Sequence, residues 1–166
     1  MRYQNILKFD SANGKGIRTT IWFTGCKFHC KECFNSKIWD FNSGLPFDAE
    51  AKNKLFKYIS NEHVKGLSVL GGEPLQQGEE MYELLKEVKE NFPNKDIWLW
   101  TGYYLNELND LQKKIISLCD YVVDGRFEEE KKDVRLYFRG SSNQTIWENN
   151  HDGTFSESDL NTAHII

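Results

Sequence analysis

The chain has 166 residues, 39% hydrophobic and 28% charged, with a formal net charge of −4. That length suits one domain with a sizeable core, and the acidic balance argues against a general nucleic-acid binder. No apolar run nears the roughly 20 residues of a membrane helix, and the start Met1-Arg-Tyr-Gln-Asn5 lacks the pattern of a secretory signal. The expectation is a cytoplasmic protein with neither membrane nor nucleic acid as partner.

Taken in chain order, Thr19–Thr24 is β-branched and aromatic, which predicts a strand running into Gly25. Asp48 can cap a helix that carries Ala51, Leu55 and Ile59 on one face. Gly66–Leu70 reads as a short strand ending in Gly71-Gly72-Glu73-Pro74, and Met81, Leu84, Leu85, Val88 and Phe92 mark a second helix stopped by Pro93. Asp96–Trp100 is the next strand, ending in Thr101-Gly102. Leu105, Leu108, Leu111, Ile115 and Leu118 then predict a third helix before the strand Tyr121–Val123 and Asp124-Gly125-Arg126-Phe127.

Strands alternating with helices imply a parallel sheet with right-handed crossovers. A closed eight-unit barrel takes about 250 residues, so the expectation is an open, partial (β/α) barrel of five to six parallel strands. Its unusual residues fall at the C-terminal strand ends, the edge where such folds build active sites. This domain is expected over residues 1–147. Residues 148–166 hold four acids and no lysine or arginine, while the rest of the chain carries 21 acids against 21 bases. Short of large apolar residues, that end is expected to be an acidic polar tail without fixed structure.

Cys26-Lys-Phe-His-Cys30-Lys-Glu-Cys33 places three thiols within eight residues directly after the first strand. Such clustering in a reducing compartment points to a metal. Four thiolates would close a zinc or ferredoxin-type site, whereas three leave one coordination position open for chemistry. His29 or Cys119 could complete a structural zinc site instead. His29, however, is expected to face solvent, and Cys119, beside Leu118, fits a small buried hydrophobe. Gly14-x-Gly16 precedes a strand, so it is a turn and no phosphate loop. Arg18 is then a candidate anion or partner contact. For Arg126 and Arg139 a functional and a purely structural use are equally open; in the functional case Arg139 and its Gly-Ser-Ser-Asn-Gln loop are expected to line the mouth of the site or to dock a protein partner. Trp22, Trp98 and Trp100 are expected in the core, and Glu128–Asp133 as a solvated surface stretch.

The order Cys-x₃-Cys-x₂-Cys, then Gly-Gly-Glu-Pro, resembles the radical S-adenosylmethionine enzymes. Asn13-Gly-Lys-Gly-Ile-Arg18, Cys33-Phe-Asn35 with Trp39, Trp98-Leu-Trp-Thr-Gly-Tyr103, Val123-Asp-Gly-Arg-Phe127 and Arg139-Gly-Ser-Ser-Asn-Gln144 follow in series. This ordered set resembles the activating proteins of anaerobic (class III) ribonucleoside-triphosphate reductase, over nearly all of residues 10–144. Glu32 stands where many members of the larger superfamily have an aromatic, which the activating proteins place after the third cysteine, as Phe34 is here. Lys15 replaces a usual proline, and the tail beyond Gln144 is longer than usual.

The resemblance implies that Cys26, Cys30 and Cys33 ligate three irons of a [4Fe-4S] cluster. The fourth iron would be chelated by S-adenosylmethionine, with Glu32, Cys33, Phe34 and Gly72 alongside it and Glu73 accepting from its ammonium group. It further implies reductive cleavage of S-adenosylmethionine and hydrogen abstraction from a glycine of the reductase, leaving a glycyl radical. A flavodoxin- or ferredoxin-type electron donor goes with that chemistry. The rival readings are an activase of another glycyl-radical enzyme, of the formate acetyltransferase type, and a non-enzymatic structural metal-binding module.

Overall fold

The computed structural model describes residues 1–28, 39–163 and 165, and among these described residues the chain forms eight strands and three α-helices. The strands are β1 (Arg2–Asp10), β2 (Arg18–Phe23), β3 (Leu45–Pro46), β4 (Gly66–Gly71), β5 (Asp96–Trp100), β6 (Tyr121–Asp124), β7 (Thr145–Asn149) and β8 (Phe155–Glu157). The helices are α1 (Ala49–Ile59), α2 (Glu79–Asn91) and α3 (Asp110–Ser117). All strands join one sheet in the order β3-β1-β2-β4-β5-β6-β7-β8.

The expected open (β/α) barrel of five to six parallel strands is overturned. Only β2, β4, β5 and β6 run parallel. Four of the seven strand pairings are antiparallel, which makes this a mixed eight-stranded sheet with three helices among the described residues. The extra strands escape a pattern search for a physical reason. A parallel neighbour needs a crossover helix, which leaves a long periodic trace, while an antiparallel one needs only a short loop. β1 shows no clean alternation along its length, because its hydrogen bonds to β2 place it more than its side chains do.

The polar end of the chain also differs from expectation. Glu148 and Asn149 complete β7, and β8 pairs back on it in antiparallel register. Main-chain pairing and the Asn161 side chain, which bonds the Ile146 N–H and carbonyl at 2.8 and 2.9 Å, hold this segment with little apolar burial. Composition alone cannot register that kind of stabilisation.

Period-two alternation divides the sheet into two unlike faces. Ile21, Leu67, Val69, Ile97, Leu99 and Val122 point to the helices and form the main core with Leu55, Ile59, Met81, Leu85, Val88 and Ile115. The helices follow the sequence reading closely. Asp48 accepts from the Ala51 N–H at 2.9 Å as the cap of α1, and Asn109 and Gln112 close a reciprocal capping box on α3. Leu105 falls in a 3₁₀ turn ahead of that helix, and Cys119 is buried in the core as expected. Among the described residues no helix is long and apolar enough to cross a membrane.

No α-helix among the described residues packs on the opposite face. Trp98 there stacks on Tyr121 (centroids 4.4 Å) and Trp100 (5.6 Å), with Phe138 edge-on at 5.3 Å. Beside this cluster Arg18 is fully buried. It pairs with Asp96 at 2.6 Å and donates to the Ser68 hydroxyl and to the carbonyls of Lys15 and Leu67. Gly66 makes room for the pair, since a Cβ there would stand 2.1 Å from the Asp96 carboxylate. Arg18 thus spends its donors inside the protein, and the reading of it as an anion or partner contact gives way to a structural one.

Candidate functional site

A cleft of about 750 Å³ opens on the Trp22–Trp100 face of the sheet, opposite the three α-helices, within the range typical of small-molecule sites. Trp22, Leu70 and Trp100 floor it, each one residue out of phase with the core-facing positions. The loops after β2, β4, β5 and β6 close one end, bringing Cys26, Gly72, Glu73, Gly102 and Arg126 together. Leu136–Gly140 form a side wall, joined by Ile165. Of the residues singled out from sequence, Cys26, Gly72 and Glu73 therefore converge, while Cys30, Glu32, Cys33 and Phe34 lie outside the described residues.

The cysteine loop is zipped to the β4 end by main-chain hydrogen bonds. Gly72 N–H donates to the Phe23 carbonyl (2.9 Å) and Glu73 N–H to that of Gly25 (2.8 Å). Cys26 N–H reaches the Trp39 carbonyl (2.8 Å), and Lys27 N–H the side chain of Gln76 (2.8 Å). A Cβ on Gly72 would sit 2.4 Å from the Gly25 carbonyl oxygen and 3.1 Å from the Cys26 Cβ. The glycine is thus required by the approach of the cysteine loop itself, where the sequence suggests ligand approach. Cys26 ends up buried at the cleft wall, 6% exposed.

Glu73 clamps two strand ends. Its Oε1 accepts from Gly102 N–H (2.6 Å), and its Oε2 from the Thr101 hydroxyl (2.8 Å) and Leu75 N–H (2.9 Å). With 1% of its surface exposed, burial pushes its carboxyl up from the ordinary 4.5 to about 7, against the opposing pull of these donors and of Arg126.

A group that holds its proton in the folded state and loses it at about 4.5 when unfolded costs stability as pH rises between those values. The penalty is complete above about 7. A glutamine in its place would turn an NH₂ group against a donor, so the Glu73→Gln apo-protein is expected to lose about 1–3 kcal/mol at acidic pH. That deficit should shrink as pH rises towards about 8, where only the wild type bears the charge. Urea unfolding across this range checks it; a deficit independent of pH would contradict the buried ionisation.

Arg126 lies over the Phe28 ring at 4.6 Å and pairs with Glu107 at 3.2 Å. Its guanidinium closes the cysteine end of the cleft, with its charge shared by an exposed acid.

Residues 12–147 match a family model described as a 4Fe-4S single cluster domain. Curated relatives named anaerobic ribonucleoside-triphosphate reductase-activating protein cover most of the chain. That of Salmonella typhi is 39% identical over 150 residues, 88% of this chain and 97% of the relative. That of Escherichia coli K12 is 37% identical over the same shares, and that of Enterobacteria phage T4 is 36% identical over 90% of this chain and 95% of its own. The chain belongs to this family of activating proteins.

For an activating protein of this family, several cleft residues are not singled out by the sequence. Phe28, Ala12 and Ile165 carry no polar side-chain group, Ser11 stands in no motif, and Trp22 and Trp100 read as core residues yet line the cleft. The missed signal lies in phase: Trp22, Leu70 and Trp100 fall on the strand positions opposite to Ile21, Val69 and Leu99. Leu136–Phe138 give no sequence signal, whereas Arg139 and Gly140 open the Arg139–Gln144 motif singled out from sequence, and Arg139, Gly140 and Gln144 line the cleft. The form of this wall depends on Phe138, at φ 55 in the left-handed region, whose carbonyl accepts from the Trp100 indole at 2.7 Å.

Proposed function

We propose that this protein activates anaerobic ribonucleoside-triphosphate reductase by generating a glycyl radical, using a [4Fe-4S] cluster and S-adenosylmethionine. Family membership supports the activity and the iron–sulfur cluster. The observation that carries the site is the meeting of Cys26, Gly72 and Glu73 in one cleft. They come from loops separated in sequence, and the cleft is large enough for a small-molecule ligand.

Cys26, Cys30 and Cys33 would hold the cluster. Its first ligand stands on a loop whose N–H groups are engaged on both sides, which fixes where the thiolate is presented. Gly72 and Glu73, with Glu32, Cys33 and Phe34, would lie along S-adenosylmethionine. Glu73 Oε1 accepts a single hydrogen bond, leaving a lone pair for an ammonium group. When bound, the two cofactors supply one-electron cleavage of the sulfonium bond and removal of a hydrogen atom from a reductase glycine. The chain's own contribution is to position them and to exclude water, which the indole floor of Trp22 and Trp100 supports. A flavodoxin- or ferredoxin-type donor, a cytoplasmic setting, and the absence of a nucleic-acid or membrane partner complete the reading.

The test uses anaerobically reconstituted protein reduced by one electron. Its paramagnetic resonance spectrum should change on addition of S-adenosylmethionine, with 5′-deoxyadenosine and methionine accumulating. Adding the reductase should produce a glycyl-radical signal. Stoichiometric zinc with no cluster and no cleavage would overturn the reading.

A further inference from the structure

The floor of the cleft continues through the sheet as a stack of aromatic rings. Trp100 lines the cavity, and its ring stacks on Trp98 at 5.6 Å between centroids. Trp98 stacks in turn on Tyr121, at 4.4 Å and 19° between planes. Strand pairing sets this step, because Trp98 on β5 and Tyr121 on β6 are register partners. Pairing of β6 with β7 sets the next, placing Glu148 opposite Tyr121. The Tyr121 hydroxyl donates to the Glu148 carboxylate at 3.4 Å, with Tyr121 partly exposed and Glu148 exposed. Three oxidisable rings and an acid therefore lead from the cleft to the surface.

Packing explains buried aromatic rings in general, but not the order in which these can release a proton. The Trp100 indole N–H is held by the Phe138 carbonyl at 2.7 Å. Trp98 is fully buried, and its indole N–H meets no acceptor among the described residues. An indole that cannot shed its proton does not keep a radical; it passes an electron across. Tyr121 is the opposite case. Burial and the nearby Glu148 raise its pKa, so it carries its proton at neutral pH, and on oxidation the same carboxylate receives that proton. The neighbouring cations do not oppose this. Arg18 over Trp98 (5.7 Å) is matched by Asp96 at 2.6 Å, and Lys15 over Tyr121 (5.9 Å) faces a ring that ends uncharged.

We propose that Trp100, Trp98 and Tyr121 form a relay that drains a stray organic radical from the cleft to the surface. This rests on the functional reading above, in which a carbon-centred radical arises in the cleft. With no target glycine presented, that radical takes the hydrogen atom of the Trp100 indole N–H, forming a C–H bond and leaving a neutral indolyl radical. An electron then passes from Tyr121 through Trp98 to Trp100, which recovers a proton from water in the cleft. Tyr121 gives its phenolic proton to Glu148, and a thiol in solution returns a hydrogen atom to the phenoxyl oxygen. Each transfer along the chain runs downhill, since an alkyl C–H bond is stronger than an indole N–H, and that stronger than a phenol O–H.

Pulse radiolysis of the full-length protein tests the relay with no cofactor bound, using the azide radical as an oxidant selective for indoles. In wild type, indolyl absorbance should decay as tyrosyl absorbance grows, in a first-order phase independent of protein concentration. Y121F, which keeps the ring stack, should lose that phase, and W98F should lose most of it. E148Q leaves every ring in place at an exposed position and should slow it, which keeps the test decisive if Y121F fails to fold. Growth that persists unchanged in Y121F, or in E148Q where Y121F does not fold, overturns the proposal. So does growth that vanishes instead in Y137F, whose ring also lines the cleft.

A second arm uses reconstituted protein with S-adenosylmethionine and a one-electron reductant, without the reductase. Wild type should form 5′-deoxyadenosine and keep Trp100 intact. Y121F should form it at the same initial rate and accumulate oxidised Trp100, read by mass spectrometry of its peptides. Intact Trp100 in both proteins overturns the protective role. Absence of 5′-deoxyadenosine from wild type removes the functional reading, and the relay's use with it, even where radiolysis shows the transfer.

Discussion

Replacing Cys26 with serine is expected to abolish assembly of a complete iron–sulfur cluster while leaving the fold in place. The substitution is nearly isosteric, and the loop is held by main-chain hydrogen bonds that do not involve the side chain, from Cys26 N–H to Trp39 and from Glu73 N–H to Gly25. What changes is the donor: a soft thiolate suits iron–sulfur ligation and a hydroxyl does not. Iron and sulfide content after anaerobic reconstitution, with the visible absorbance of the cluster, reads the loss directly. Thermal unfolding of the apo-protein should stay near wild type. Full iron content in C26S would remove Cys26 from the ligand set, and an early melt would mean that the thiol serves the fold.

The second large effect concerns stability. Arg18→Met should cost about 3–5 kcal/mol, as expected when one member of a buried ion pair is removed and the other is left behind. Asp96 keeps its position beside Gly66, 21% exposed at the side chain, without the guanidinium 2.6 Å away. The Ser68 hydroxyl and the Leu67 carbonyl also lose their donor. Pairing R18M with D96N should restore a good part of the loss, because the stranded charge goes with it. Chemical unfolding of the apo-proteins gives both numbers. A loss below about 1 kcal/mol for R18M, the level of a surface pair, would show that the pair is not the clamp its burial indicates.

Arg18 also shows where sequence reasoning stops. Its place between a glycine turn and a strand fits either a partner contact or an internal clamp, and only the neighbouring strands decide. Gly66 and Asp96 lie on β4 and β5, far along the chain. The periodic elements are readable because burial imposes the period: β2, β4, β5 and β6 and the inward faces of α1 and α2 stand where the pattern puts them. β1, β7 and β8 are not, since main-chain pairing holds them and leaves little trace in side-chain pattern.

The site divides in the same way. The Cys26, Gly72 and Glu73 motifs are legible because they are chemically unusual at strand ends. The clamp by which Glu73 ties Thr101, Gly102 and Leu75 is not, for it depends on which two strands become neighbours. The wall from Leu136 to Gly140 depends on a single backbone conformation at Phe138.

Of the five tryptophans in the chain, Trp22, Trp39 and Trp100 line the cleft, and Trp98 stacks on Trp100 behind it. Most of the protein's intrinsic fluorescence therefore originates within or next to the cavity. A visible-absorbing cluster placed there accepts excitation energy from those indoles, and a ligand that displaces water shifts the emission of those it touches. The cleft is consequently its own optical reporter, so that cofactor loading can be followed by quenching, without a label, in the same cuvette in which the protein is reconstituted.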